Sequence, residues 1–155
     1  MQLETRNAKT FDTTDLELAR ALLYATKGAT AVAVRGDEVL ISQERGVKPL
    51  LGWIAEGKSL AGFSVADKVV GKAPALLYAI LGPAAVFAPV MTNAARAVLL
   101  ANEIACGNDT LVEKITNRAG DGQCPMDATV TNVFDPYEAE SAIRARLSQM
   151  AGVAA

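Results

Sequence analysis

Three polar clusters interrupt a largely apolar chain, and they gather the side chains best suited to chemistry. They are Arg45-Gly46-Val47-Lys48-Pro49-Leu50-Leu51, Ala66-Asp67-Lys68-Val69-Val70-Gly71-Lys72-Ala73 and Asn117-Arg118-Ala119-Gly120-Asp121-Gly122-Gln123-Cys124-Pro125-Met126-Asp127. The chain has no histidine, so the commonest general base and the commonest metal ligand are both missing. In the second cluster Asp67, Lys68 and Lys72 stand where a helix is expected to begin after a buried strand. Free amides and the helix dipole favour anions at such a start, and the two lysines add charge. Gly71 admits a close neighbour. Gly71-Lys72 is followed by Ala73 and does not make a Walker motif. The plainer alternative is that Asp67 caps the helix and the lysines are solvated.

In the third cluster Cys124 precedes Pro125, which places it at a helix start. That position favours a thiolate, and Arg118 nearby in sequence adds to the effect. A thiolate is a nucleophile, with Asp67 or Lys68 as its proton carrier; a Cys–His arrangement is excluded. The alternative is a packing thiol. Asn117 to Gly122 reads as a polar, glycine-rich loop in which Arg118 can hold a carboxylate or phosphate through two parallel hydrogen bonds, or as an ordinary turn. Lys48 and Asn93, each at an expected helix start, complete the candidate ligand-binding set with Lys68, Lys72, Asn117 and Arg118. Trp53 reads as a core or interface anchor. Cys106, at the expected end of an apolar helix, reads as core.

The elements that must position these residues follow from periodicity and punctuation. Asp12 to Lys27 predicts a helix with a capping box at Thr14-Asp15-Leu16-Glu17 and a stop at Gly28. Ala29 to Arg35 and Glu38 to Gln43 predict a hairpin turning at Gly36-Asp37. Lys48 to Glu56 predicts a short helix with Pro49 in its first turn and Gly57 after it. Gly62 to Ala66 predicts a strand and Asp67 to Leu81 a helix, in which Pro74 fits if regular helix begins near Gly71. Ala84 to Val90 is the next strand. Thr92 or Asn93 caps a helix to about Ala105, and Thr110 to Thr116 alternates as a strand. Pro125 opens a short helix, and Asp135-Pro136 a last one to about Met150. Strands alternating with helices predict a three-layer α/β/α domain with a mixed sheet. It spans residues 1–150, with 151–155 a flexible tail.

Composition narrows the function classes. The net charge of −2 gives no electrostatic footprint for nucleic acid. Two cysteines are too few for a disulfide framework or a four-ligand zinc site. Residues 73–95 carry no charge until Arg96, but Pro74, Gly82, Pro83 and Pro89 break the stretch, which argues against a membrane span. The polar N-terminus lacks the apolar core of a signal peptide, so a cytoplasmic address is expected.

The three clusters, taken as Gly46 to Leu51, Ala66 to Ala73, and Asn117-Arg118 with Cys124-Pro125-Met126-Asp127, resemble the family DUF1893 over about Leu16 to Ala145. The resemblance implies a cytidine deaminase-like fold and no assigned activity. A zinc deaminase needs His or Cys with a nearby Glu at one helix start and two Cys at the next. Here those positions read Ala66-Asp67-Lys68 and Met91-Thr92-Asn93-Ala94, so no metal site and no cofactor are expected. The leading expectation is a binder of a small anionic molecule, nucleotide-like ones included, without zinc chemistry. The rivals are a cysteine-dependent enzyme using Cys124 and Asp67, and a structural or partner-binding subunit. A homo-oligomer, most simply a dimer, is expected from the apolar composition.

Overall fold

The structure, a computed structural model, describes residues 13–117, 119–120 and 122–154. Arg118 and Asp121 of the third cluster lie outside the described residues. Helix α1 (Thr13–Ala25) leads into a hairpin of β1 (Ala31–Arg35) and β2 (Glu38–Ser42). Thr14, expected to cap α1, lies inside the helix. Helix α2 (Lys48–Ala55) carries Pro49 in its first turn, as expected. Then follow β3 (Ser64–Asp67), β4 (Val69–Val70), α3 (Lys72–Leu81), β5 (Ala85–Thr92), α4 (Asn93–Ala101), β6 (Ala105–Val112), α5 (Pro125–Thr129) and α6 (Pro136–Ala154).

The sheet is mixed and six-stranded, in the order β2-β1-β3-β5-β4 with β6 also paired to β5. β1 is antiparallel to both β2 and β3, whereas β3, β4 and β6 run parallel to β5. A strand has two hydrogen-bonding edges. β3 and β4 therefore share one edge of β5, pairing first at Ala85–Phe87 and then at Val90–Met91, and β6 takes the other. Alternate residues of β1 enter separate cores, as the pleat dictates. Val32 and Val34 join Leu16, Ala19 and Leu23 of α1, with Phe87 of β5. Ala31 and Ala33 face the larger core, which includes Leu50, Leu76, Tyr78, Leu99 and Ile143 from helices α2, α3, α4 and α6.

Three expectations about elements are corrected. The helix foreseen from Asp67 begins at Lys72, because the β-branched pair Val69-Val70 extends the chain along β5 before Gly71 turns it. Pro74 then falls in the first turn of α3, where its missing amide hydrogen has no intrahelical role. The strand foreseen over Thr110 to Thr116 is displaced to Ala105–Val112. Ala105, Cys106 and Gly107 pair with Ala85, Val86 and Phe87 of the buried strand β5, so small apolar residues that read as a helix end serve as a buried strand. Cys106 accordingly sits on β6, not on a helix. Finally, α6 continues beyond Met150 to Ala154.

Candidate functional site

The third cluster folds back on itself after β6. Thr116 and Gln123 form a bridge, the Asn117 amide donates to the Gly122 carbonyl at 2.7 Å, and the Cys124 amide donates to the Ile115 carbonyl at 2.7 Å. Gly120, at φ +75°, takes the left-handed turn that a side chain would resist. The loop thus delivers Cys124 to the N-cap of α5, as expected. Its thiol caps nothing there and is free and half-buried.

The first cluster faces this loop. The Lys48 amide donates to the Arg45 carbonyl at 3.3 Å and closes the turn into α2. α6 is tied to the same region, since an Arg144 guanidinium nitrogen donates to the Leu51 carbonyl at 3.2 Å. Between the two clusters and the C-terminal part of α6 lies a cavity of about 1300 Å³, whose walls include Arg45, Lys48, Asn117, Cys124, Met126 and Leu147. Arg45 and Met126 belong to the first and third clusters, but nothing local to either in the sequence signals a cavity wall.

The second cluster meets the third through one carboxylate. Asp127 of α5 accepts the Lys72 amide at 3.1 Å and the Ala73 amide at 2.9 Å. It caps α3, whose own N-cap residue, Gly71, has no side chain to do so. A Cβ on Gly71 would lie 2.0 Å from Oδ2 of Asp127. The close neighbour that Gly71 admits is therefore the chain's own carboxylate. Burial raises the Asp127 carboxyl above its ordinary range, opposed by the two amides and by Lys72. The Lys72 ammonium donates to the Thr131 carbonyl at 2.9 Å and stands 4.5 Å from the centroid of Phe134. Burial lowers its proton affinity, and Asp127 opposes that shift.

A second cavity of about 140 Å³ opens among Lys72, Thr92, Glu113 and Asp127. It lies past the C-terminal ends of the parallel strands, where open α/β sheets commonly bind ligands. The α3 amides that an anion would use are occupied there, and two carboxylates, Asp127 and Glu113, line the space. For an anion the larger cavity is the better candidate, and α5 with the segment before it forms the wall between the two.

The remaining candidates are dispersed. Asp67 ends β3 and lines neither cavity; it is not a helix cap. Its Oδ2 accepts the Tyr78 hydroxyl at 2.7 Å, and Oδ1 accepts the Val69 amide at 3.4 Å. Burial raises its carboxyl to about 7, against the lowering effect of the Tyr78 hydrogen bond. Lys68 is exposed, and its amide donates to the Thr30 carbonyl at 3.1 Å. Neither Asp67 nor Lys68 shares a cavity with Cys124, so the cysteine reading has neither of its expected proton carriers on that wall. Asn93 is the exposed first residue of α4; Thr92 is the cap, its hydroxyl accepting the Ala95 amide at 3.0 Å. Among the described residues no three acidic or cysteine side chains gather as a metal-holding group.

These features define a mixed α/β protein with an open six-stranded sheet flanked by helices and two cavities beside one short helix. Residues 19–147 match the family described as a domain of unknown function, DUF1893. The chain belongs to that family. It is also similar to the crystal structure of a DUF1893 family protein from Thermotoga maritima. The two are 24% identical with a TM-score of 0.80, over 94% of this chain and 97% of the other. No curated protein matches the chain.

Proposed function

We propose that the protein binds a small anionic molecule in the larger cavity, and does so without zinc chemistry. The observation that carries this reading is the meeting of the first and third clusters at one cavity, which Arg45, Lys48, Asn117 and Cys124 all line. Arg45 and Lys48 supply charge, and the Asn117 side chain supplies polar contact. Nucleotide-like ligands fall within this class. The reading extends to a deaminase-like fold in which the starts of α3 and α4 lie together, since Lys72, Thr92 and Ala94 line one small cavity. In a zinc deaminase such starts present His or Cys ligands; here they present Lys72, Ala73, Thr92 and Asn93.

Calorimetric titration with a panel of inorganic phosphate, AMP and simple carboxylates tests the proposal. Binding is expected for at least one, and the pair Lys48→Ala and Asn117→Ala is expected to weaken it roughly tenfold or more by removing a charged and a neutral hydrogen bond. Wild-type indifference to every anion tried, those with an aliphatic body included, would sink the reading. Metal analysis is expected to find no stoichiometric zinc, and one tightly held zinc per chain would overturn the zinc-free part.

A further inference from the structure

Most of the larger cavity is not charged. Its apolar wall is made by Met126 of α5 with Leu147 and Met150 of α6. Met126 is buried in the core, Leu147 packs against that core, and Met150 is 39% exposed. The wall thus runs from the protein interior outward to solvent. Methionine is unbranched and adaptable, which suits a surface that grips a flexible apolar partner. Arg45, on the turn between β2 and α2, and Lys48, the first residue of α2, line the same cavity. Among the described residues neither side chain takes part in an ion pair. Among the described lining residues Glu44 is the acidic one, so their charged groups stand two positive to one negative.

An inorganic anion would satisfy the two cations and leave the exposed outer part of the apolar wall, Met150 above all, in water. A nucleobase would find no aromatic ring among the described lining residues on which to stack. We infer that the ligand is a soluble amphipathic anion, with a carboxylate or phosphate head at Arg45 and Lys48 and an aliphatic body along Met126, Leu147 and Met150. The inference rests on the proposed anion-binding function and names the ligand class for that site. Burying an aliphatic body removes apolar surface from water on both partners, and each methylene adds to affinity.

The test is calorimetry on the full chain with octyl phosphate below its micelle concentration, beside inorganic phosphate, AMP and octanol. Octyl phosphate is expected to bind at least about tenfold more tightly than inorganic phosphate and than octanol. Met150→Ser and, separately, Leu147→Ser are expected to weaken octyl phosphate binding and leave inorganic phosphate unchanged. Met150, being partly exposed, keeps the test usable if Leu147→Ser fails to fold. Arg45→Ala combined with Lys48→Ala is expected to weaken both anions. Inorganic phosphate or AMP binding as tightly as octyl phosphate would overturn the aliphatic body and leave anion binding standing. Octanol matching octyl phosphate would overturn the acidic head. No binding by any anion would overturn this inference and the proposed function together. Sedimentation with phosphatidate vesicles is expected to leave the protein in the supernatant, and co-sedimentation would overturn a soluble ligand in favour of a membrane lipid.

Discussion

At position 71 the absence of a side chain is what lets position 127 act. The Asp127 carboxylate fills the space a Cβ would take and accepts two amides of α3. Gly71→Ala must push that carboxylate off its donors. It is expected to cost about 3–6 kcal/mol of stability, the range for losing a pair of charge-assisted hydrogen bonds. Asp127→Ala removes the same bonds, so the double substitution should cost clearly less than the sum of the two. Additive losses in denaturant melts would show that the two residues act independently. Asp67 gives a second prediction. Its carboxyl ionises near 3.8 in an unfolded chain and about 7 in the fold. Between those values the folded state holds a proton that the unfolded state has released. Stability from this group is therefore full below pH 3.8, falls as pH rises toward about 7, and is level above that. The whole span is about 4 kcal/mol. Asp127 is shifted in the same direction, so Asp67→Asn should flatten the decline without abolishing it. An unchanged pH profile in that variant would contradict the assignment. Sequence alone flagged Gly71 as a point of close approach and could not say what approached. A contact between residues 55 positions apart leaves no local pattern.

Among the elements, α5 is the shortest helix described and has two neighbours to serve. Its N-cap cysteine and Met126 face the larger cavity, while Asp127 faces the smaller. This helix was legible because Pro125 marks a first turn, just as Pro49 marked α2 and Gly36-Asp37 marked the hairpin. The start of α3 was misplaced because Asp67-Lys68 imitates a cap, whereas tertiary pairing of Val69-Val70 with Val90-Met91 draws the segment into the sheet. The shift of β6 has a similar cause, since Ala105-Cys106-Gly107 carries no alternation for a period to detect. The corrected positions sharpen the contrast between the two thiols. Cys106 is buried on β6, and burial pushes its thiol up. Cys124 is half-buried on a cavity wall. Iodoacetamide at neutral pH is expected to modify Cys124 well before Cys106, and an occupied cavity should slow the reaction. Equal inertness of both thiols in the native protein would remove Cys124 from the site.

For the molecule as a whole, β2 pairs with β1 and, among the described residues, with no further strand. Val39 and Ile41 on it are 40% and 42% exposed. An open edge of that kind invites a second strand, most simply from a symmetric copy. A homodimer is therefore expected by light scattering, and Ile41→Lys should shift it toward monomer. A wild-type monomer at high concentration would contradict this. No described helix is long and apolar enough to cross a membrane. The remote cap on α3 also bears on the order of events as the chain is made. When residues 72 and 73 leave the ribosome, the carboxylate that will receive their amides has not yet been synthesised. Helix α3 must therefore wait with a ragged beginning until α5 docks. Those two amides are consequently built-in reporters. Slow hydrogen–deuterium exchange at Lys72 and Ala73 marks α5 as seated, and their early exchange would register its departure before the sheet itself gives way.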